Sequence, residues 1–134
     1  MEKFNFELVS PDRKVISEAA WQVTIPGQEG DVGVRAGHMA LVMTVRPGVV
    51  EVIRERGGAV EKLFIAGGFA DIAQAHCTLL AEEAIPLEAI KADKLEQDLK
   101  NLEDDLAMAE TDADKMRIEN RQVLLKSMLK AIQA

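Results

Sequence analysis

Glycine and proline stop abruptly in this chain. All 9 glycines and all 4 prolines lie at or before Pro86, and neither occurs from Leu87 to the end of the 134 residues. Glycine builds turns because it tolerates positive φ; proline does so because it fixes φ and lacks an N–H. A chain punctuated this way cannot be one continuous helical or one continuous β structure. It divides into a turn-rich part, 1–85, and a part, 86–134, in which no glycine or proline follows Pro86.

The first part reads as β. Phe4, Phe6 and Leu8 alternate with Asn5 and Glu7, which gives one apolar face at a period of two. Ser10-Pro11-Asp12-Arg13 is a turn. Val23 and Ile25 lead into a break at Pro26-Gly27, and Val32 and Val34 alternate over a short strand that ends near Gly37. Leu41 to Val45 predicts a buried strand stopped at Pro47-Gly48. Val49 to Ile53 follows, then a hairpin turn at Arg56-Gly57-Gly58. Leu63-Phe64-Ile65 runs up to Gly67-Gly68, and Phe69 to Ala73 and Cys77 to Ala81 complete the series. About ten short strands with turns every 8–12 residues predict an antiparallel β-sandwich, not a βαβ fold.

The second part reads as an antiparallel two-helix hairpin. Leu95, Leu99, Leu102 and Leu106 form a heptad seam. Thr111-Asp112-Ala113-Asp114 interrupts it and supplies N-cap side chains for a second helix. Ile118, Leu125, Leu129 and Ile132 mark that helix's apolar stripe. The first helix is mostly acidic; the second carries Lys115, Arg117, Arg121, Lys126 and Lys130 against Glu119. The helices therefore attract, but exposed pairs contribute at most about 1 kcal/mol each. Closure of so small a hairpin is expected to be marginal, so that the basic stripe either pairs with the first helix or opens onto an acidic partner.

Charge excludes whole classes of partner. A net charge of −7 and a pI near 4.9 fit poorly with binding to nucleic acid, which needs cations on phosphates. Aromatics make up only 4%, too few for base-stacking platforms. No apolar stretch approaches the roughly 20 residues that cross a bilayer, and no secretory signal is expected at the N-terminus. Membrane contact is expected only through a protein complex. A single cysteine, Cys77, allows no internal disulfide.

Catalytic groups are absent from the pattern. His76 and Cys77 are neighbours on a strand and point to opposite faces. Two histidines and one cysteine offer no pair at metal-ligand spacing. The glycine-rich run Pro26-Gly27-Gln28-Glu29-Gly30-Asp31-Val32-Gly33 lacks the Gly-Lys-Ser/Thr ending of a phosphate loop, and its acids repel phosphate. It reads either as a plain turn or as an acidic loop that touches a partner. His38 reads as a turn histidine.

Taken in order, these segments resemble the epsilon subunit family of the F-type ATP synthases. The resemblance is carried by Glu29-Gly30-Asp31-Val32-Gly33-Val34 followed by Gly37-His38, by Arg46-Pro47-Gly48, by Ile65-Ala66-Gly67-Gly68-Phe69, by Leu79-Leu80-Ala81-Glu82 with Ala84-Ile85, and by Val9-Ser10-Pro11. It covers the whole chain. It implies a non-catalytic rotor subunit of the central stalk, coupling proton translocation to ATP synthesis at the cytoplasmic face of a bacterial plasma membrane. It further implies that Glu29, Gly30 and Asp31 meet the ring of membrane c subunits and that Ser10 and His38 face the gamma subunit. The hairpin, extended, would rise along gamma and inhibit ATP hydrolysis, with Arg117, Arg121 and Lys126 meeting the alpha/beta catalytic subunits. About 45 helical residues would span roughly 65 Å.

Two places depart from the family pattern. Met39-Ala40 replaces a common proline after Gly37-His38. The stretch Leu87-Glu88-Ala89-Ile90-Lys91-Ala92 stands where some members open the first helix with an ATP-binding I/L-D-x-x-R-A motif. Glu88 replaces the aspartate and Lys91 the arginine, and lysine lacks the planar fork of a guanidinium. Regulatory ATP binding is expected to be weak or absent, and no other cofactor is expected. The competing reading is a free-standing sandwich module with a helical arm serving another assembly; a small hydrolase or isomerase finds no nucleophile–base pair.

Overall fold

The computed structural model describes residues 2–133. Ten strands come first: β1 (Phe4–Ser10), β2 (Arg13–Ala20), β3 (Gln22–Gly27), β4 (Gly30–Val34), β5 (Leu41–Val45), β6 (Gly48–Ile53), β7 (Val60–Ile65), β8 (Gly68–Ile72), β9 (His76–Ala81) and β10 (Ala84–Pro86). A 3-10 turn over Leu87–Ala89 precedes α1 (Ala92–Met108) and α2 (Asp112–Gln133). The chain separates into two compact units after Pro86.

The strands follow one hydrogen-bonded path, β10-β7-β6-β3-β5-β8-β9-β1-β2, with β4 on β3. Its weakest link is β3 to β5, joined at the single pair Gly27–Val45. The path folds there into two layers, β4-β3-β6-β7-β10 and β5-β8-β9-β1-β2. All pairings are antiparallel except β1 with β9.

Register explains the core. Phe6, Cys77 and Ile72 stand side by side on β1, β9 and β8, and Leu8, Leu79 and Ala70 form the next row. Val23 and Val52 pair across β3 and β6 in the other layer. All these side chains are buried in one cluster. Each buried large aliphatic or aromatic side chain stabilises by about 1.5–3 kcal/mol, which makes this cluster the main source of the fold's stability. Gly68 is required where β8 passes β9, because a Cβ there would lie 1.8 Å from the Leu80 carbonyl oxygen. At one edge Arg54 ties the layers together, pairing with Glu18 of β2 and Glu61 of β7. Glu18 holds its guanidinium above the usual pKa, opposed by partial burial and assisted by Glu61.

Three sequence expectations need correction. Strand β2 was not expected between Arg13 and Ala20, because its apolar positions Val15 and Ile16 are adjacent and hide the alternation. A register shift at Leu8/Val9 where β1 meets β2 further blurs the pattern. Leu41 to Val45 is not a buried strand: Val45 is buried, but Val42 is 72% exposed. The β7 run Leu63-Phe64-Ile65, by contrast, is buried on both faces. Finally, Glu88 and Lys91 do not open the first helix. Glu88 sits in the 3-10 turn, and Lys91 is the extended N-cap residue of α1.

In the second unit α1 and α2 pack on each other. Thr111 Oγ1 accepts a hydrogen bond from the Asp114 N–H at 3.1 Å, capping α2 as the sequence predicts. Asp112 and Asp114 lie in the first turn and Lys130 in the last, which suits the helix dipole. Leu95, Ile118, Leu125 and Met128 are buried, whereas Leu99, Leu102 and Leu106 remain half-buried. A two-helix unit has too little opposing surface to cover a whole seam.

Candidate functional site

The β3–β4 hairpin carries the acidic turn. Gly27 pairs with Gly30, so Gln28 and Glu29 form its tip. A Cβ on Gly27 would lie 2.6 Å from the Gly30 carbonyl oxygen, so only glycine closes the turn this tightly. The Gln28 N–H donates to the Thr44 carbonyl at 3.0 Å, which ties the tip to β5. Arg46 Nη2 donates to Asp31 Oδ1 at 2.6 Å, and Arg46 Nη1 donates to the Gly27 carbonyl. Glu29 is exposed. Between this turn and β5 runs an open groove of about 510 Å³, lined by Glu29, Asp31, Val32, Val42 and Thr44 among others.

The outer face of the second layer carries exposed apolar side chains. Across β5, β8, β9, β1 and β2 the register aligns Thr44, Phe69, Leu80, Val9 and Lys14 in one row. The next row aligns Val42, Asp71, Thr78, Glu7 and Ser17. Phe69 is 57% exposed and Leu80 52% exposed, with Val42 more open still. Lys14 pairs with Glu7 at 3.6 Å at the rim. Apolar side chains clustered inside a polar rim mark an interaction surface. The sequence held a signal for this face. β8 and β9 carry apolar residues at both parities, Phe69 beside Ile72 and Leu79 beside Leu80, more than one buried face can absorb.

Ser10 and His38 are not brought together. Ser10 is buried, and its hydroxyl donates to Asp12 Oδ1 at 3.0 Å, with the Arg13 carbonyl a second acceptor at 3.4 Å. His38 is partly exposed, and its Nδ1–H donates to the Met39 carbonyl at 2.7 Å. The Gly37 N–H donates to Gln74 and the Asn5 N–H to Ala75, which places His38 at the start of β1. Ser10 ends the same strand, so the two lie roughly 17 Å apart along it.

Cys77 is buried, and burial first, with Asp71 second, pushes its thiol up to about 12. A nucleophilic cysteine needs the opposite, an exposed thiol with a lowered pKa. Among the described residues, no three His, Cys, Asp or Glu side chains converge to hold a metal ion. No described helix is long and apolar enough to cross a membrane. On α2, Arg117 lies 3.8 Å from Asp114, Arg121 also has a partner, and Lys126 is exposed.

Comparison with known proteins bears on this geometry. Residues 3–87 match the sequence model of the family described as ATP synthase, Delta/Epsilon chain, beta-sandwich domain. The chain is 38% identical to an ATP synthase epsilon chain of Rhodospirillum centenum, over 98% of this chain and 92% of that one. It is 41% identical to an ATP synthase epsilon chain of Rhizobium johnstonii, over 89% of this chain and 87% of that one. A chain in the cryo-EM structure of the Euglena gracilis mitochondrial ATP synthase, OSCP/F1/c-ring, superposes with a TM-score of 0.82. That chain is 28% identical, and the match covers 98% of this chain and 82% of that one. One in the Tetrahymena thermophila central stalk/c-ring structure shares the fold at a TM-score of 0.69 and 17% identity, over 97% and 96% of the two chains. A sandwich matched along its length, an acidic hairpin turn and relatives near 40% identity over most of the chain lead to one assignment: this chain belongs to the epsilon-chain family of the ATP synthases.

Proposed function

We propose that the chain is a rotor subunit of the central stalk of a proton-translocating ATP synthase, non-catalytic itself, which couples proton flow to ATP synthesis. Family membership supports this, as do neighbours drawn from F1/c-ring and central-stalk assemblies. It would sit peripherally on the cytoplasmic face of a bacterial plasma membrane, held there through the complex.

One observation carries the choice of surfaces: the exposed apolar face of Val42, Phe69 and Leu80 continues into the groove beside the acidic turn. In this reading that face docks the gamma subunit, and Ser10 and His38 mark its two ends. Glu29, Gly30 and Asp31 meet the polar loops of the c ring. A rotor part needs both contacts at once, since torque passes only if neither slips.

The hairpin is the regulatory arm of this reading. Its half-buried leucines leave apolar surface for a second partner, and Arg117, Arg121 and Lys126 would meet acidic segments of the catalytic subunits when it extends. Glu88 and Lys91 lie before α1 in a 3-10 turn and an extended cap, an arrangement that offers ATP no arginine fork, so regulatory ATP binding is weak or absent. The test is assembly and turnover. The full chain should co-purify with gamma in a stoichiometric complex, and removal of residues after Pro86 should spare that complex while raising ATP hydrolysis by the reassembled enzyme. Failure to bind gamma would refute the rotor role. Unchanged hydrolysis would refute the regulatory arm alone.

A further inference from the structure

The acidic turn holds two carboxylates, and the structure treats them differently. Arg46 follows β5 and precedes Pro47, whose ring restricts the residue before it to extended backbone. From that fixed position Arg46 reaches the β3–β4 hairpin three times. Its N–H donates to the Pro26 carbonyl at 2.9 Å. Its Nη1 donates to the Gly27 carbonyl, and its Nη2 to Asp31 Oδ1 at 2.6 Å. The guanidinium thus bridges both strands of the hairpin, one at a backbone oxygen and one at a carboxylate. Glu29, two residues from Asp31 and at the tip, has no such partner among the described residues.

We propose that Arg46 is the positioning residue of the acidic turn: it holds the hairpin's shape and neutralises Asp31, leaving Glu29 as the carboxylate that meets a cationic partner. The inference rests on the reading that the turn meets the c ring. The fork geometry matters as well as the charge. A planar guanidinium satisfies the carbonyl and the carboxylate together, whereas an ammonium acts as a single point charge. Asp31 therefore reaches the ring already paired with Arg46, and Glu29 is the carboxylate of the turn whose charge is not balanced by such a partner.

Amide hydrogen exchange on the full chain tests the clamp. Arg46→Ala and Asp31→Asn should each speed exchange at Gln28–Asp31 about fivefold, the scale of a partly exposed ion pair with one added charged hydrogen bond. Arg46→Lys should fall between, Glu29→Gln should leave exchange unchanged, and the charge swap Arg46→Asp with Asp31→Arg should recover little of the protection, because a carboxylate at position 46 cannot donate to the Gly27 carbonyl. Association of the subunit–gamma complex with purified c ring, measured across a salt series, tests the division of labour. Glu29→Gln should flatten the salt dependence; the double neutral variant Arg46→Gln with Asp31→Asn should weaken association about fivefold yet keep the slope. Unchanged exchange in Arg46→Ala overturns the proposal, and so does a slope lost in the double neutral variant but kept in Glu29→Gln. Loosened exchange with ring association untouched in every variant removes the ring from the reading and leaves the clamp standing.

Discussion

Replacing Phe69 with alanine separates binding from folding. The side chain stands on the outer face of β8, opposite Leu80 of β9, and is 57% exposed. A phenylalanine side chain offers roughly 200 Å² for burial, so about 110 Å² of it faces water before any partner arrives. Covering that area is worth about 3 kcal/mol at about 25 cal/mol per Å². The methyl of alanine recovers part of this, leaving a loss of about 2 kcal/mol, or roughly a 30-fold weaker complex. The same substitution costs the isolated subunit its cross-strand contacts with Thr44 and Leu80, about 1 kcal/mol together. Calorimetric titration of the subunit into purified gamma gives the first quantity, and urea unfolding of the subunit alone gives the second. A dissociation constant that stays within threefold of the parent, with the fold intact, would refute the docking face.

Three further predictions concern the fold. Leu79→Ala empties the centre of the row Leu8–Leu79–Ala70 and should cost about 3 kcal/mol in urea unfolding, far more than Phe69→Ala although the two residues belong to adjacent strands. Thr111→Ala removes the cap of α2 and should cost about 1 kcal/mol, read as a lower helical melting temperature with the sandwich unaffected. Cys77 gives stability a downward slope at high pH. Its thiol titrates near 12 when folded against an ordinary 9.0, so above pH 9 the unfolded chain releases a proton that the folded chain keeps. Stability should therefore fall by up to about 1.4 kcal/mol per pH unit between those values, and Cys77→Ala should flatten the slope. An equal slope in both proteins would contradict the assignment.

How much was legible in the sequence depended on whether a feature is local. The alternation of Phe4, Phe6 and Leu8 and the heptad of Leu95 to Leu106 are written in adjacent residues, and both elements formed where their periods place them. The cap at Thr111 is equally local. Strand β2 was hidden because its pairing comes from β1 and its edge position, not from its own pattern. Leu41 to Val45 looked buried because composition does not say which parity faces the core; only the register with Ala70 and Ile72 decides that. The same gap concealed the exposed face of Phe69 and Leu80. Arg46 stands in the sequence only as the residue before Pro47-Gly48, and its contacts with Gly27 and Asp31 span 19 and 15 residues of chain, beyond the reach of any local pattern. The placing of Ser10 and His38 on one surface comes from family resemblance, because no local pattern relates two residues so far apart in the chain.

The parallel pairing of β1 with β9 has a consequence for biosynthesis. Strand β1 is made first, yet its place is between β2 and a strand that begins at His76. At about 5–20 residues per second, the ribosome needs several seconds to deliver β9 after β1 has emerged. During that interval Phe4, Phe6 and Leu8 have only the β1–β2 hairpin for company, and a lone hairpin is marginal in water. Closing so long a loop is also entropically slow, which places the step late in folding. The nascent chain therefore carries an incompletely covered β1–β2 hairpin until Ala81 is out, and in those seconds its apolar face is most open to aggregation.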